Sequence, residues 1–132
     1  MVYLELDDLL AIASEVLGLE VDVLLRVTDL GLADSAMSRP QASFAGEEFY
    51  VSVEAKAATL LFGVARNHAF IDGNKRVAIL VALQFLNLNG FDLDLTPPEE
   101  AYKVIAGVAA GTVTLDALTS WIGARLEPLA DG

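Results

Sequence analysis

The sequence predicts an all-α fold, a single-domain helical bundle spanning residues 1–132. Three observations carry this expectation: apolar residues recur at helical spacing from Leu6 onward, the connections between periodic segments are short, and residues 41–50, with three aromatics and a glycine, form the longest stretch read as an exposed loop or hairpin. At 55% hydrophobic, a chain of 132 residues can close one core and has no room for a second domain. No internal repeat, low-complexity tract or linker divides it.

Taken in order, Val2–Leu4 reads as a short strand or arm. Leu6, Leu9, Leu10, Ile12, Ala13, Val16 and Leu17 share helical spacing, and Gly18 is placed to close that helix in the left-handed conformation. Residues 19–28 are ambiguous. Asp29 can cap a helix over Gly31–Ser38, stopped at Arg39-Pro40 because a residue before proline avoids the α region. Residues 41–50 read as an exposed loop or short hairpin, although loop aromatics more often tuck into a core. Ser52 can cap a helix to about Asn67 that carries small residues nearly all round. Asn74 to Asn89 is apolar on every face, which predicts a central helix, and these last two helices together are expected to form the core with the turn between them. Phe91–Leu95 alternates like a strand or extended connection. Thr96-Pro97-Pro98-Glu99 reads as a capping box with proline at the first helical position, opening a helix to about Ala110 that Gly111 closes. Thr114 caps the last helix, Leu115 to Leu126, with Leu118, Trp121, Ile122 and Arg125 on one buried face.

Composition removes several function classes. Nineteen acids against eight bases give a net charge of −11, which argues against direct nucleic-acid binding, since phosphate backbones need clustered positive charge. A basic protein partner suits such a surface better. No apolar run reaches the ~18 residues of a membrane span, and the acidic N-terminus is unlike a signal peptide, so the expected compartment is the cytoplasm. The absence of cysteine excludes disulfides and thiolate metal sites.

One stretch gathers the chemistry: His68-Ala69-Phe70-Ile71-Asp72-Gly73-Asn74-Lys75-Arg76, between the two most apolar helices. Gly73 and Asn74 tolerate backbone angles that most residues avoid, and the helix starting near Asn74 turns its free N–H groups and positive dipole end toward that turn. Lys75 and Arg76 add cations where the dipole disfavours them, which points to an anion, and arginine can grip phosphate bidentately. Asp72 can hold a hard cation such as Mg²⁺. An imidazole in water titrates at roughly 6.5, close enough to cellular pH for His68 to serve as a general base. The plainer alternatives stay open on these grounds alone: His68 as a satisfied core-edge imidazole, Asp72 as an N-cap, Lys75 and Arg76 as solvated first-turn residues, Asn74 as a turn residue.

The same nine residues resemble the signature of the Fic/Doc family, and the lysine at position 75 places them nearer its death-on-curing (Doc) toxins than its Fic branch, which has a second glycine there. Gly31–Ala36, Arg39-Pro40-Gln41, Ala65-Arg66-Asn67 and Asn87–Gly90 extend the likeness over nearly the whole chain. The resemblance implies a Fic/Doc-type helical bundle in which residues 41–50 form a flap beside the site. It implies that His68 is the catalytic base, that Asp72 and Asn74 hold Mg²⁺, that Gly73, Asn74, Lys75 and Arg76 hold ATP phosphates, and that Phe70 is a structural anchor. The implied activity is a toxin's transfer of the γ-phosphoryl group of ATP to a Ser/Thr hydroxyl, with elongation factor Tu as target, translation blocked, and a Phd-like antitoxin as partner.

Departures from the Fic pattern sharpen this. Lys75 occupies part of the anion nest and Ile79 replaces the arginine that Fic offers to the outer phosphates, so adenylyl transfer is the alternative rather than the first reading. Gly73 stands where the best-known Doc motif has alanine, a difference expected to be tolerable. No Ser/Thr-x-x-x-Glu-Gly/Asn inhibitory segment is found, so restraint should come from another chain. A second alternative is a non-catalytic anion- or protein-binding module.

Overall fold

The computed structural model of the protein describes residues 1–129 and contains seven α-helices and two small antiparallel strand pairs among them. The all-α expectation holds, and the strands serve as clasps.

Helix α1 (Leu6–Leu17) ends at Gly18 with φ 68°, the left-handed closure its sequence predicts. The ambiguous residues 19–28 contain a short helix, α2 (Val21–Val27), with only Leu24 buried, so its other valines and leucines give no readable period. Helix α3 (Leu30–Ser38) begins one residue earlier than expected, with the Asp29 side chain accepting from Leu32 N–H at 3.1 Å. Its chain then tightens into a 3₁₀ turn over Arg39–Gln41 with Pro40 buried.

Residues 41–50 form a hairpin, β1 (Ser43–Phe44) against β2 (Glu47–Glu48), closed by Ala45 and Gly46 at φ 54° and 83°. Two successive positive φ values match the right-handed strand twist, as tight hairpin turns require. Phe44 and Phe49 do not tuck into the core; they are 75% and 63% exposed.

Helix α4 (Val53–Asn67), capped by Ser52 accepting from Ala55 N–H at 3.1 Å, is the hub of the bundle: nine of its residues are buried, and α3, α5 (Asn74–Leu88), α6 (Pro98–Ala110) and α7 (Leu115–Arg125) all pack on it. The pair α4 and α5 forms the core as expected, with α4 the more enclosed of the two. Small residues let neighbours approach α4 closely; at Gly63 an added Cβ would lie 3.2 Å from the Ala36 side chain. Helix α5 buries Val77, Ala78, Val81, Ala82, Phe85 and Leu86 but leaves Leu80 and Leu88 exposed on its other side.

The N-terminal arm is held without a strand: the Asn89 amide, at the end of α5, accepts from Val2 N–H at 2.7 Å and donates to Val2 C=O at 2.8 Å. Strand β3 (Phe91–Leu93) pairs with β4 (Leu126–Pro128), so the last helix stops at Arg125 where Leu126 leaves to join the pair. The capping box expected at Thr96 is not formed. Thr96 donates its hydroxyl and its N–H to Asp94, Pro97 takes the cap position, and α6 starts at Pro98. Thr114 caps α7 as expected, accepting from Ala117 N–H at 3.1 Å. Arg125 is half-buried, 4.7 Å over the Trp121 ring and 2.8 Å from Glu100, tying α7 to the start of α6.

Candidate functional site

The loop between α4 and α5 is shaped by three anchors. His68 ends α4 in the left-handed region, φ 51°, a conformation uncommon outside glycine that turns the chain sharply and leaves its imidazole exposed. Ala69 and Phe70 then dive into the core at 7% and 4% exposure, and the Ala69 carbonyl accepts from Asp29 N–H at 2.9 Å, tying the loop to the start of α3. The Asn74 side chain closes the other end. Its Oδ1 accepts from Phe70 N–H at 3.2 Å and its Nδ2 donates to Phe70 C=O at 3.0 Å.

Between these anchors the turn has the backbone form its sequence suggests. Gly73 holds φ 70° as the residue before the helix, and its N–H donates to Asp72 Oδ1 at 2.7 Å. Asp72 therefore does not cap α5; that alternative is set aside. The N–H groups of Asn74, Lys75 and Arg76 have no hydrogen-bond partner among the described residues, so three donors and the positive dipole end of a fifteen-residue helix are free for a ligand. Lys75 and Arg76 are both exposed and make no ion pair among the described residues.

A cleft of about 370 Å³ is lined by His68, Asp72, Gly73, Asn74, Lys75 and Arg76. Every site residue singled out in the sequence thus meets one space, except Phe70, which is the buried anchor its resemblance implies. Ala65, Ile71 and Ala109 complete the wall. Ala109 comes from α6, and nothing local in the sequence marks an alanine there.

Leu17 is equally unmarked. At Gly73 an added Cβ would come within 2.9 Å of Leu17 Cδ2 and 3.4 Å of the Arg76 guanidinium. Glycine is accommodated at this φ of 70°, whereas alanine here would strain the backbone and force Leu17 to move.

Asp72 is the single carboxylate of the cleft, and no group of three or more His, Cys, Asp or Glu side chains lies together among the described residues. Mg²⁺ keeps several waters and binds through one or two carboxylates plus substrate phosphates. One exposed carboxylate beside a free helix N-terminus fits such an ion only if a bound phosphate supplies further ligands. Asn74 spends its side chain on Phe70, and its contribution to the cleft in this conformation is its backbone N–H.

The model of the Fic/DOC family matches residues 3–86, the arm through most of α5. The chain is 46% identical over 108 residues to the "Toxin Doc" of Mycolicibacterium smegmatis, covering 79% of this chain and 80% of that protein. It is 36% identical over 92 residues to the "Protein kinase doc" of Escherichia phage P1, covering 70% and 71%. The chain belongs to the Fic/Doc family. The family match contains the whole His68–Arg76 loop, all of α4 and α5 as far as Leu86, and of the cleft lining only Ala109 lies outside it.

Beyond it, Lys75 and Arg76 also border a recess of about 150 Å³ with Ile79, Tyr102 and Ile105. Ile79 is half-buried there, and no cation one turn down the helix faces the outer end of the nest.

Proposed function

We propose that this chain is a Doc-type toxin that transfers the γ-phosphoryl group of ATP to a Ser/Thr hydroxyl of a target protein, elongation factor Tu, and so blocks translation. The observation that carries this reading is the sharing of one cleft by an exposed imidazole and an unfilled helix N-terminus flanked by two unpaired cations. The relatives' names, one a toxin and one a protein kinase, support it.

In this reading the backbone N–H groups of Asn74, Lys75 and Arg76 receive phosphate oxygens, and the Lys75 and Arg76 side chains neutralise charge on the phosphoryl groups. Asp72 would hold Mg²⁺, which would supply neutralisation of phosphate charge. His68 accepts the proton of the target hydroxyl as its oxygen bonds to the γ phosphorus and the bond to the bridging oxygen breaks, releasing ADP. Positioning and charge neutralisation supply most of the rate.

Adenylyl transfer is the competing reading. It is disfavoured because Lys75 replaces the second glycine of the Fic nest and Ile79, at an apolar recess, stands where Fic has a second arginine for the outer phosphates. ATP labelled on the α or the γ phosphate, incubated with the chain and elongation factor Tu, distinguishes the two, and labelling with neither leaves a binding module.

The hairpin β1–β2, with Phe44 and Phe49 exposed, is the flap that receives the target segment. A Phd-like antitoxin supplies restraint through a helix laid in the groove between α1 and α5, lined by Ile12, Leu80, Leu83 and Leu88.

A further inference from the structure

Lys56 lies at the end of the first turn of α4, flanked by alanines, at 2% exposure, the least expected side chain in the core. A buried ammonium is costly unless its protons are received by partners. Its acceptors come from one segment: Nζ donates to Pro40 C=O at 3.3 Å, to Glu48 Oε1 at 3.1 Å and to Tyr50 C=O. The Tyr3 ring stands 5.6 Å away on the remaining side.

That segment is the one carrying the hairpin, and it has little else to hold it. Ser43 to Phe49 are all exposed, so no apolar side chain of the hairpin is buried against the bundle. Phe49 N–H bonds back to Ala42 C=O at 3.0 Å, which closes the hairpin on itself and not on the body. Arg39 beside Tyr50 pulls that phenol's pKa below 10.0, a second polar attachment at the hairpin's root. The Lys56–Glu48 pair is thus the charged link from the strands to the hub helix, with Glu48 half-exposed at its outer end. The same helix ends at His68, and twelve residues of α-helix make a rod of about 18 Å between the two.

We propose that Lys56 is a positioning residue that tethers the hairpin and fixes its placement relative to His68 for the incoming target segment. This rests on the reading of the hairpin as the target-docking flap. Losing Lys56 frees the β2 strand while leaving the phosphate turn, held by Asn74, Gly73 and Asp29, untouched.

The test compares the parent, Lys56→Met and Glu48→Gln, the last at an exposed site that leaves the core intact. Hydrogen exchange of the amides of residues 43–49 should quicken roughly tenfold in Glu48→Gln, where one charge-assisted hydrogen bond is weakened, and by more in Lys56→Met, where all three are lost. KM for elongation factor Tu should rise by a similar factor, while affinity for a non-hydrolysable ATP analogue stays at the parental value. Unchanged exchange in both variants overturns the tether. So does an equal loss of nucleotide affinity, which marks a general structural effect. A parent that transfers no phosphate defeats the functional reading, and the exchange rates still decide the tether.

Discussion

Asn74 grips the backbone of Phe70 from four residues along the chain, accepting from its N–H at 3.2 Å and donating to its C=O at 3.0 Å. One amide thereby satisfies both polar groups of a residue whose ring is buried at 4% exposure, and it fixes the turn that begins α5.

Asn74→Ala leaves those two backbone groups unpaired. The expected loss is about 1–3 kcal/mol, seen as a drop of roughly 3–8 °C in Tm, together with loss of transfer activity. Asn74→Asp keeps the acceptor and loses the donor, so it should fall between. Thermal denaturation of the three proteins checks the order.

Gly73→Ala places a methyl group 2.9 Å from Leu17 Cδ2 on a backbone at φ 70°. The left-handed strain costs about 1–2 kcal/mol, and the turn should shift, weakening binding of a non-hydrolysable ATP analogue. Adding Leu17→Ala removes the steric part only. Partial recovery of nucleotide binding in the double variant, measured by calorimetry, is the expected result.

Lys75→Gly enlarges the nest and should shift product from phosphate toward AMP on the target hydroxyl. Adding Ile79→Arg should shift it further, because an arginine one helical turn down can reach the outer phosphates. Mass spectrometry of the target reads the products. A double variant that still adds only phosphate at the parental rate would show that Lys75 does not set nucleotide orientation.

Burial alone would lower the pKa of Lys56, but hydrogen bonds to Glu48 and the neighbouring Tyr3 phenol outweigh it, so the pKa is raised above 10.5. A raised pKa means the pair's contribution to stability is complete below 10.5 and is lost as pH climbs through the folded value. The Tm difference between the parent and Lys56→Met should therefore narrow or reverse above pH 10.5 and stay constant through neutral pH.

Much of this fold is legible where the deciding interaction is local. Asp29, Ser52 and Thr114 each accept from an N–H three residues on, so the residue type alone marks the helix start. Thr96 misleads because Asp94, two residues back, takes the same hydroxyl. The β3–β4 pair joins residues more than thirty positions apart, a relationship no local pattern in Leu126-Glu127-Pro128 announces. Hydropathy marks α4 and α5 together as the core pair but understates α4, because packing rewards that helix's small residues.

The site is readable because its chemistry is contiguous, His68 to Arg76 in one loop. Its supports are not. Leu17 and Ala109 reach the loop only through tertiary packing, and Lys56, a lysine on a helix, has the sequence appearance of a solvated residue.

The most direct test of the proposed chemistry is the intact mass of elongation factor Tu after incubation with ATP and either the parent chain or His68→Ala. His68 is exposed and outside the apolar core, so the variant should keep the parental Tm. Phosphoryl transfer with His68 as base predicts a phosphate added by the parent and no addition by the variant. A phosphate added equally by both would contradict His68 as the base, and an AMP added by the parent would contradict phosphoryl transfer itself.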